Sequence, residues 1–205
     1  MAMCGRLSEG LTWHEIIELY DLTAAGGLPV RRSGEDDIYP AQDSIVIRQK
    51  DGIREAMLMH WSLVPGAKYA TYNARVEGIL ERRSFKEAIR QRRCLIPVNS
   101  YYEWKGPRGR ANRYRISMKN GAAFSIGGIW NESIKNRKPI ISFALVTTTP
   151  NAELAPVHDR MPVIIAPGDF DAWLNGSVDD ALGLAVAYPG AEMMAQNESP
   201  QLDLF

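Results

Sequence analysis

The sequence predicts an α+β fold, a largely antiparallel β-sheet curled toward a barrel with a few flanking helices. Two observations carry that reading. Most of the chain falls into short apolar or alternating runs bounded by Gly, Pro, Asn or Asp, the pattern of strands joined by turns. Helical spacing is confined to a few short stretches, too few to serve as crossovers between parallel neighbours, so the strands are expected to pair antiparallel.

In chain order, Thr12-Trp13-His14-Glu15 is a capping box, with Leu11 and Ile16 placed as its hydrophobic staple. It predicts an amphipathic helix to about Tyr20, ended by Gly26-Gly27 and Pro29. Strands follow at 44–48 and 57–64. Ser84-Phe85-Lys86-Glu87 repeats the capping box and predicts a second helix ending near Arg92. Further strands are expected at 94–98, 113–118, 123–130, 140–147 and 163–166. Asn120-Gly121 predicts a type I′ hairpin turn, because it supplies the positive φ angles that turn demands. Pro167 opens a third, short helix to about Asn175, and from about Pro189 the chain turns small and polar. The expected organisation is a leader at 1–3, one domain at 4–188 and a flexible tail at 189–205.

A chain of 205 residues, 45% hydrophobic and 23% charged, is that of an ordinary soluble protein. No apolar run approaches the roughly 20 residues of a membrane span, and Met1-Ala2-Met3-Cys4-Gly5-Arg6 lacks a signal-peptide stretch. The expected location is the cytoplasm (bacterial cytosol and nucleoid). Cys4 and Cys94 are too few for a disulfide framework, and His14, His60 and His158 lack zinc-site spacing, so neither metal nor organic cofactor is expected. The formal charge is zero, but residues 1–188 carry +3, because Glu192, Glu198 and Asp203 lie beyond them with no Lys or Arg. Basic residues gather at Arg82, Arg83, Lys86, Arg90, Arg92 and Arg93, and again at Lys105, Arg108, Arg110, Arg113 and Arg115. Such runs are usually solvated faces; they permit a polyanionic partner without demanding one.

Short motifs go further. Cys4-Gly5-Arg6, Asn73-Ala74-Arg75-Val76-Glu77, Tyr102-Glu103-Trp104 and His158-Asp159-Arg160-Met161-Pro162 resemble, in order, the signature segments of the SRAP (SOS response-associated peptidase) family. Trp61-Ser62-Leu63-Val64-Pro65 is similar to its W-G-L-x-P, and Arg93-Cys94-Leu95-Ile96-Pro97 to its R-C-L-x-P, so the likeness spans roughly residues 4–175. It implies an SRAP-type fold and covalent capture of abasic sites in single-stranded DNA by a cysteine exposed as a new N-terminus.

The chemistry explains the cysteine. Once Cys4 is residue one, a free α-amine and a thiol share one Cα. The amine, with a pKa of roughly 8, is partly neutral at pH 7 and attacks an aldehyde to give a Schiff base. The neighbouring sulfur then closes on the imine carbon, forming a thiazolidine. An abasic deoxyribose exposes that aldehyde when its ring opens.

Read singly, each candidate residue also has a structural role. Cys4 is then an inert cysteine, Glu103 a strand-end carboxylate, His158 a structural histidine, Asn73 a turn residue and Trp61 a core ring. Arg6, Arg75 and Arg160 are then surface ion-pair partners. The resemblance instead makes Glu103 a general acid and base, His158 a proton shuttle tied to reversal, and Asn73 the group that orients the sugar. Arg6, Arg75 and Arg160, each two residues after Cys4, Asn73 or His158, would hold flanking phosphates. Trp61 would stack on bases, and Pro40, in a loop similar to the family's A-P-T-Q, would line the same channel.

The sequence also departs from the pattern. Met1-Ala2-Met3 precedes the cysteine, so translation starts at Met3, or the leader is an added sequence, or the protein removes it. Ser62 replaces a glycine, the second tryptophan after W-G-L-x-P is missing, and Asp37 stands where an Asn is usual. Beyond the family pattern, Gln201-Leu202-Asp203-Leu204-Phe205 matches the Q-L-x-L-F peptide that docks on the bacterial replicative sliding clamp. The competing readings are a thiol peptidase using Cys4, His158 and Glu103, and a non-catalytic DNA-binding adapter recruited by the tail. The capture chemistry needs only a monomer.

Overall fold

The computed structural model describes residues 4–22, 37–67, 70–107, 109–135 and 137–199. Its strands are β1 (Leu7–Ser8), β2 (Asp37–Ile38), β3 (Asp43–Lys50), β4 (Ile53–Trp61), β5 (Asn73–Arg75), β6 (Arg93–Val98), β7 (Ser100–Lys105), β8 (Asn112–Met118), β9 (Phe124–Lys135), β10 (Lys138–Thr148), β11 (Met161–Pro162), β12 (Ile164–Ile165) and β13 (Met193–Asn197). Its α-helices are α1 (Trp13–Tyr20), α2 (Lys86–Gln91), α3 (Phe170–Asn175) and α4 (Val178–Leu184).

Strands β10, β4, β3, β6 and β9 pair in that order, and β9 returns to β10 to close a barrel. The pairing is antiparallel throughout the ring except between β10 and β4, and β5 also runs parallel to β10. A second, wholly antiparallel sheet has the order β13-β8-β7-β1-β2. The expected curled, largely antiparallel sheet is therefore present.

Pleating sends alternate residues of the barrel strands to opposite faces, and each face builds a core. Ile45 and Ile47, Leu95, and Ala144 and Val146 join a core shared with Ile16, Tyr20, Ile89, Phe170, Trp173 and Ala181 of the helices. The intervening Val46, Cys94, Ile96, Phe143 and Leu145 join a core shared with Leu7, Tyr101, Ile116 and Met193 of the second sheet. Cys4 belongs to that second core.

Local signals worked unevenly. The Thr12 capping box forms as expected: the Thr12 amide donates to Glu15 Oε2 at 2.6 Å, and the hydroxyl accepts from the Glu15 amide at 3.3 Å. The helix stops at Asp21, whose φ is 49°, ahead of Gly26-Gly27 and Pro29, which lie outside the described residues. The second helix begins one residue beyond the expected cap: Phe85, buried, is the N-cap of α2 and makes no side-chain cap hydrogen bond. The Ser177–Asp180 capping box that opens α4 was not anticipated.

Two expectations are overturned. Strands β8 and β9 belong to different sheets, so Asn120-Gly121 turns a corner and makes no hairpin. The Gly121 amide donates to Met118 O at 3.1 Å, and Gly121 has φ 74° while Asn120 is not in the positive-φ region. The Asn120 side chain accepts from the Ala122 amide at 3.0 Å, which serves that corner. The tail does not begin at 189. β13 pairs along β8 from Met193↔Met118 to Asn197↔Tyr114, and Met193 is fully buried. Its apolar alternation is short, which is why it reads as linker.

Candidate active site

Cys4 enters just before β1, fully buried, with φ 39°, a conformation rare for a side-chain-bearing residue. Its backbone N–H donates to Glu103 Oε1 at 2.9 Å. Glu103 sits on β7 between the outward-facing Tyr102 and Trp104, so it shares the inner face with Tyr101. Burial pushes the Glu103 carboxyl up to about 8; the amide of Cys4 opposes that shift and the charge of Asp159 adds to it. Burial, and then Glu103, raises the Cys4 thiol well above its ordinary range, so the sulfur is held as a thiol.

His158 ends the turn that begins at Leu154, and its Nε2 lies 4.0 Å from Glu103 Oε2. The Arg160 amide donates to His158 Nδ1 at 3.1 Å, while Asp159 Oδ1 stands 2.9 Å from the same atom. An amide can only donate, so Nδ1 of the neutral ring accepts and the ring proton sits on Nε2, toward Glu103. Burial lowers the His158 pKa against the pull of Asp159, which favours that neutral ring. The Asp159 contact becomes an ion pair on protonation. The pocket thus holds a protonated carboxyl and a neutral imidazole side by side.

The arginines divide. Arg160 forms a bidentate pair with Glu77, both contacts at 2.7 Å, and its Nη2 also donates to Thr147 O at 2.7 Å. It is nearly buried, and it joins the His158 segment to the Asn73–Glu77 segment beside β10. In this arrangement Arg160 positions the two segments against each other. Arg75 is exposed on β5, with Thr147 as its cross-strand partner. Arg6 pairs with Asp37, and its guanidinium lies 4.2 Å from the Tyr102 ring centroid. Asn73 is half-buried at the start of β5, opposite Leu145 and four residues before Glu77.

Trp61 is a correction. It is fully buried, stacked on Phe143 with centroids 6.1 Å apart, and its indole N–H donates to Tyr72 O at 2.9 Å. No face of it is available to a base. Pro40 occupies a turn in which the Ala41 amide donates to Trp61 O at 2.9 Å and Ala41 has φ 71°. The Arg82–Arg93 group splits as well: Arg93 is buried and its Nη1 donates to Ile89 O at 2.8 Å, closing the end of α2, whereas Arg82, Arg83, Lys86 and Arg90 are exposed.

A family model described as SOS response associated peptidase (SRAP) matches residues 3–201. The chain belongs to the SRAP family. Among similar proteins, the Bacillus subtilis abasic site processing protein YoaM is 30% identical over 96% of this chain and 91% of its own length. The B. subtilis abasic site processing protein YoqW is 31% identical over 84% of this chain and 80% of its own. A Bordetella bronchiseptica protein of known crystal structure shares the fold of this SRAP chain with a TM-score of 0.81 at 22% identity, covering 96% of this chain and 100% of that one. A Bacteroides thetaiotaomicron structure does so at 0.81 and 21%, covering 96% and 93%.

Within the SRAP site, Glu77, Asp37, Asp159 and Tyr102 carry contacts that sequence reasoning did not assign. The signal for Glu77, Tyr102 and Asp159 was their place inside the signature segments, and for Asp37 the departure from the usual Asn, whose charge complements Arg6. Among the described residues, no group of three or more His, Cys, Asp or Glu could hold a metal ion, and no helix is long and apolar enough to cross a membrane. Gln201, Leu202, Leu204 and Phe205 lie outside the described residues.

Proposed function

We propose that this protein captures abasic sites in single-stranded DNA covalently through Cys4, after residues 1–3 have been removed. Its relatives are named for abasic site processing, and the observation that carries the finer chemistry is the 2.9 Å contact between the Cys4 nitrogen and Glu103. With the leader gone, that nitrogen is an α-amine facing a buried carboxyl. Burial disfavours the ammonium–carboxylate pair and favours the neutral amine with protonated Glu103, which is the reactive tautomer. The amine attacks the aldehyde carbon of the opened sugar. Glu103 delivers its proton to the departing oxygen, which leaves as water, and takes back the proton the nitrogen loses as the imine forms. Sγ–H then adds across the C=N bond: sulfur bonds to carbon and the proton ends on nitrogen, leaving a thiazolidine. His158, its Nε2 turned toward Glu103, relays protons during closure and reversal.

The test is intact mass of protein with a free Cys4 N-terminus, before and after incubation with an abasic single-stranded oligonucleotide. The expected product is a denaturation-resistant adduct of protein plus DNA minus water. Cys4→Ser forms the imine but not the stable ring. No adduct from the leader-free protein would refute the capture reading and favour the adapter.

The same contact favours a second activity in the chain that still carries its leader. Glu103 touches the nitrogen that leaves when the Met3–Cys4 peptide bond is cleaved, so protonation by Glu103 would assist an autopeptidase step begun by the Cys4 thiol. Leader loss in purified Glu103→Gln at the wild-type rate would refute it. We assign Gln201, Leu202, Leu204 and Phe205 to docking on the bacterial sliding clamp, which would bring a monomeric trap to replication forks in the cytoplasm. A pull-down in which Leu204→Ala and Phe205→Ala bind the clamp as well as wild type would remove that assignment.

A further inference from the structure

We infer that the outer face of the five-stranded sheet is a second contact surface for the DNA single strand, where Arg113 holds a phosphate of the nucleotides flanking the captured site. The inference rests on the proposed capture reaction for where the strand starts; the surface itself stands on the sheet. Residues directly opposite one another on paired strands share a face. Glu103 turns inward to Cys4, so Tyr102 and Trp104 turn outward. Opposite Tyr102 stands Arg115, and opposite Trp104 stands Arg113. The Tyr102 amide donates to Arg6 O at 3.0 Å, which continues the row onto the segment entering β1.

The side chains form a ladder of rings and guanidiniums. The Arg6 guanidinium is 5.7 Å from the Tyr39 centroid and 4.2 Å from that of Tyr102, and Arg113 is 5.6 Å from the same Tyr102 ring. Asp37 faces Arg6 and Glu198 faces Arg113, the latter pair at 3.3 Å. Arg115 instead donates from Nε to the Ser100 hydroxyl at 3.1 Å. Lys105 and Arg110 stand exposed at the end of the β7–β8 hairpin. On the face itself Arg6, Arg113 and Arg115 stand against Asp37 and Glu198, so positive charge exceeds negative, in agreement with a polyanionic occupant.

The chemistry selects a single strand. Tyr39 and Trp104 offer rings to unpaired bases, and Tyr102, buried against Arg6 and Arg113, sets their guanidiniums toward the phosphates between, whereas a duplex keeps its bases closed. Arg6 is two residues from Cys4, and β8 lies two strands beyond β1, about 10 Å away at ordinary strand spacing. A strand leaving the Cys4 pocket reaches Arg113 within a few nucleotides. The Arg113 and Glu198 side chains are 39% and 26% exposed, and an ion pair so exposed is weak enough for a phosphate to displace the carboxylate.

The test uses full-length protein with a free Cys4 N-terminus and two abasic oligonucleotides, one with a single nucleotide on each side of the lesion and one with long flanks. Arg113→Ala is expected to lower the ratio of long-flank to short-flank capture rates about fivefold to tenfold, and to reduce the slope of log affinity against log salt by about 1. Glu198→Gln, which frees Arg113, is expected to raise the same ratio. A ratio and salt slope at wild-type values in both variants would overturn the inference, as would equal loss on both oligonucleotides, the mark of a scaffold defect. If wild type captures neither oligonucleotide, the capture reaction itself is wrong. Affinity of the same variants for an undamaged single strand then still decides the surface.

Discussion

Glu103 is 2% exposed, and its carboxyl, raised to about 8, keeps its proton at neutral pH. An unfolded Glu titrates near about 4.3, so the folded chain binds this proton more tightly and loses stability as pH rises from about 4.3 through about 8. Glu103→Gln imitates the neutral form. Its Tm is expected to fall less than that of wild type over that interval, and superimposable Tm–pH curves would refute the shift. The same variant can neither give nor take the proton of imine formation, so adduct formation is expected to slow by about 10²–10⁴. The arginines predict different signatures. Arg75 is exposed, so Arg75→Ala should weaken DNA binding and reduce the salt slope by about 1. Arg160 is held by Glu77 and Thr147 O, so Arg160→Ala should leave that slope in place while slowing capture. A double-mutant cycle with Glu77→Ala should show strong coupling; additive effects would contradict the positioning role. The meeting of Cys4, Glu103 and His158 was legible through the signature segments that carry them. The partners of Trp61 and Arg160 were not, because a ring or a guanidinium takes its setting from its neighbours, and Phe143 and Glu77 are remote in the chain.

Strand β13 shows how an element can be structural while resembling a linker. It completes the second sheet along β8 and buries Met193, and Asn151 Nδ2 donates to Tyr188 O at 2.8 Å just before it. Two truncations separate its role from that of the residues beyond it. A chain ending at Tyr188 loses the β8 ladder and the Met193 side chain; truncating a buried methionine alone typically costs about 2–5 kcal/mol, so its Tm should drop steeply. A chain ending at Ser199 keeps β13 and should melt like wild type while losing clamp binding. Equal Tm values for the two truncations would show β13 to be dispensable. The strands of the barrel were readable because each alternates between two apolar cores, as Ile45, Val46 and Ile47 do. Strand partners were not. Asn120-Gly121 has the composition of a hairpin turn, yet the strands it joins enter different sheets, a choice made by distant cores.

Closure of the barrel depends on β9 lying against both β6 and β10, and it does so at a position without a side chain. Gly128 is opposite Cys94 on one side and Leu145 on the other. A Cβ there would stand 2.5 Å from Ile96 Cδ1 and 3.0 Å from both Ala144 O and Cys94 Sγ. Ile96 can rotate, but Ala144 O is backbone of β10, so relief requires the β9–β10 seam to open. That seam also carries the site, because Thr147 of β10 holds Arg160, and β11, which follows the His158 segment, pairs with Thr147 and Thr148. Gly128→Ala is therefore expected to cost about 1–3 kcal/mol or more and to slow adduct formation even well below its Tm. Gly183 is the control. It lies in α4 with nothing within 4 Å of its Cβ position and no positive φ, so Gly183→Ala should stabilise by about 0.5–1 kcal/mol through helix propensity. Thermal melts and adduct rates on the two variants decide the matter. If Gly128→Ala behaves like Gly183→Ala, the barrel tolerates a looser seam, and the geometry around Cys4 is held by the second sheet alone.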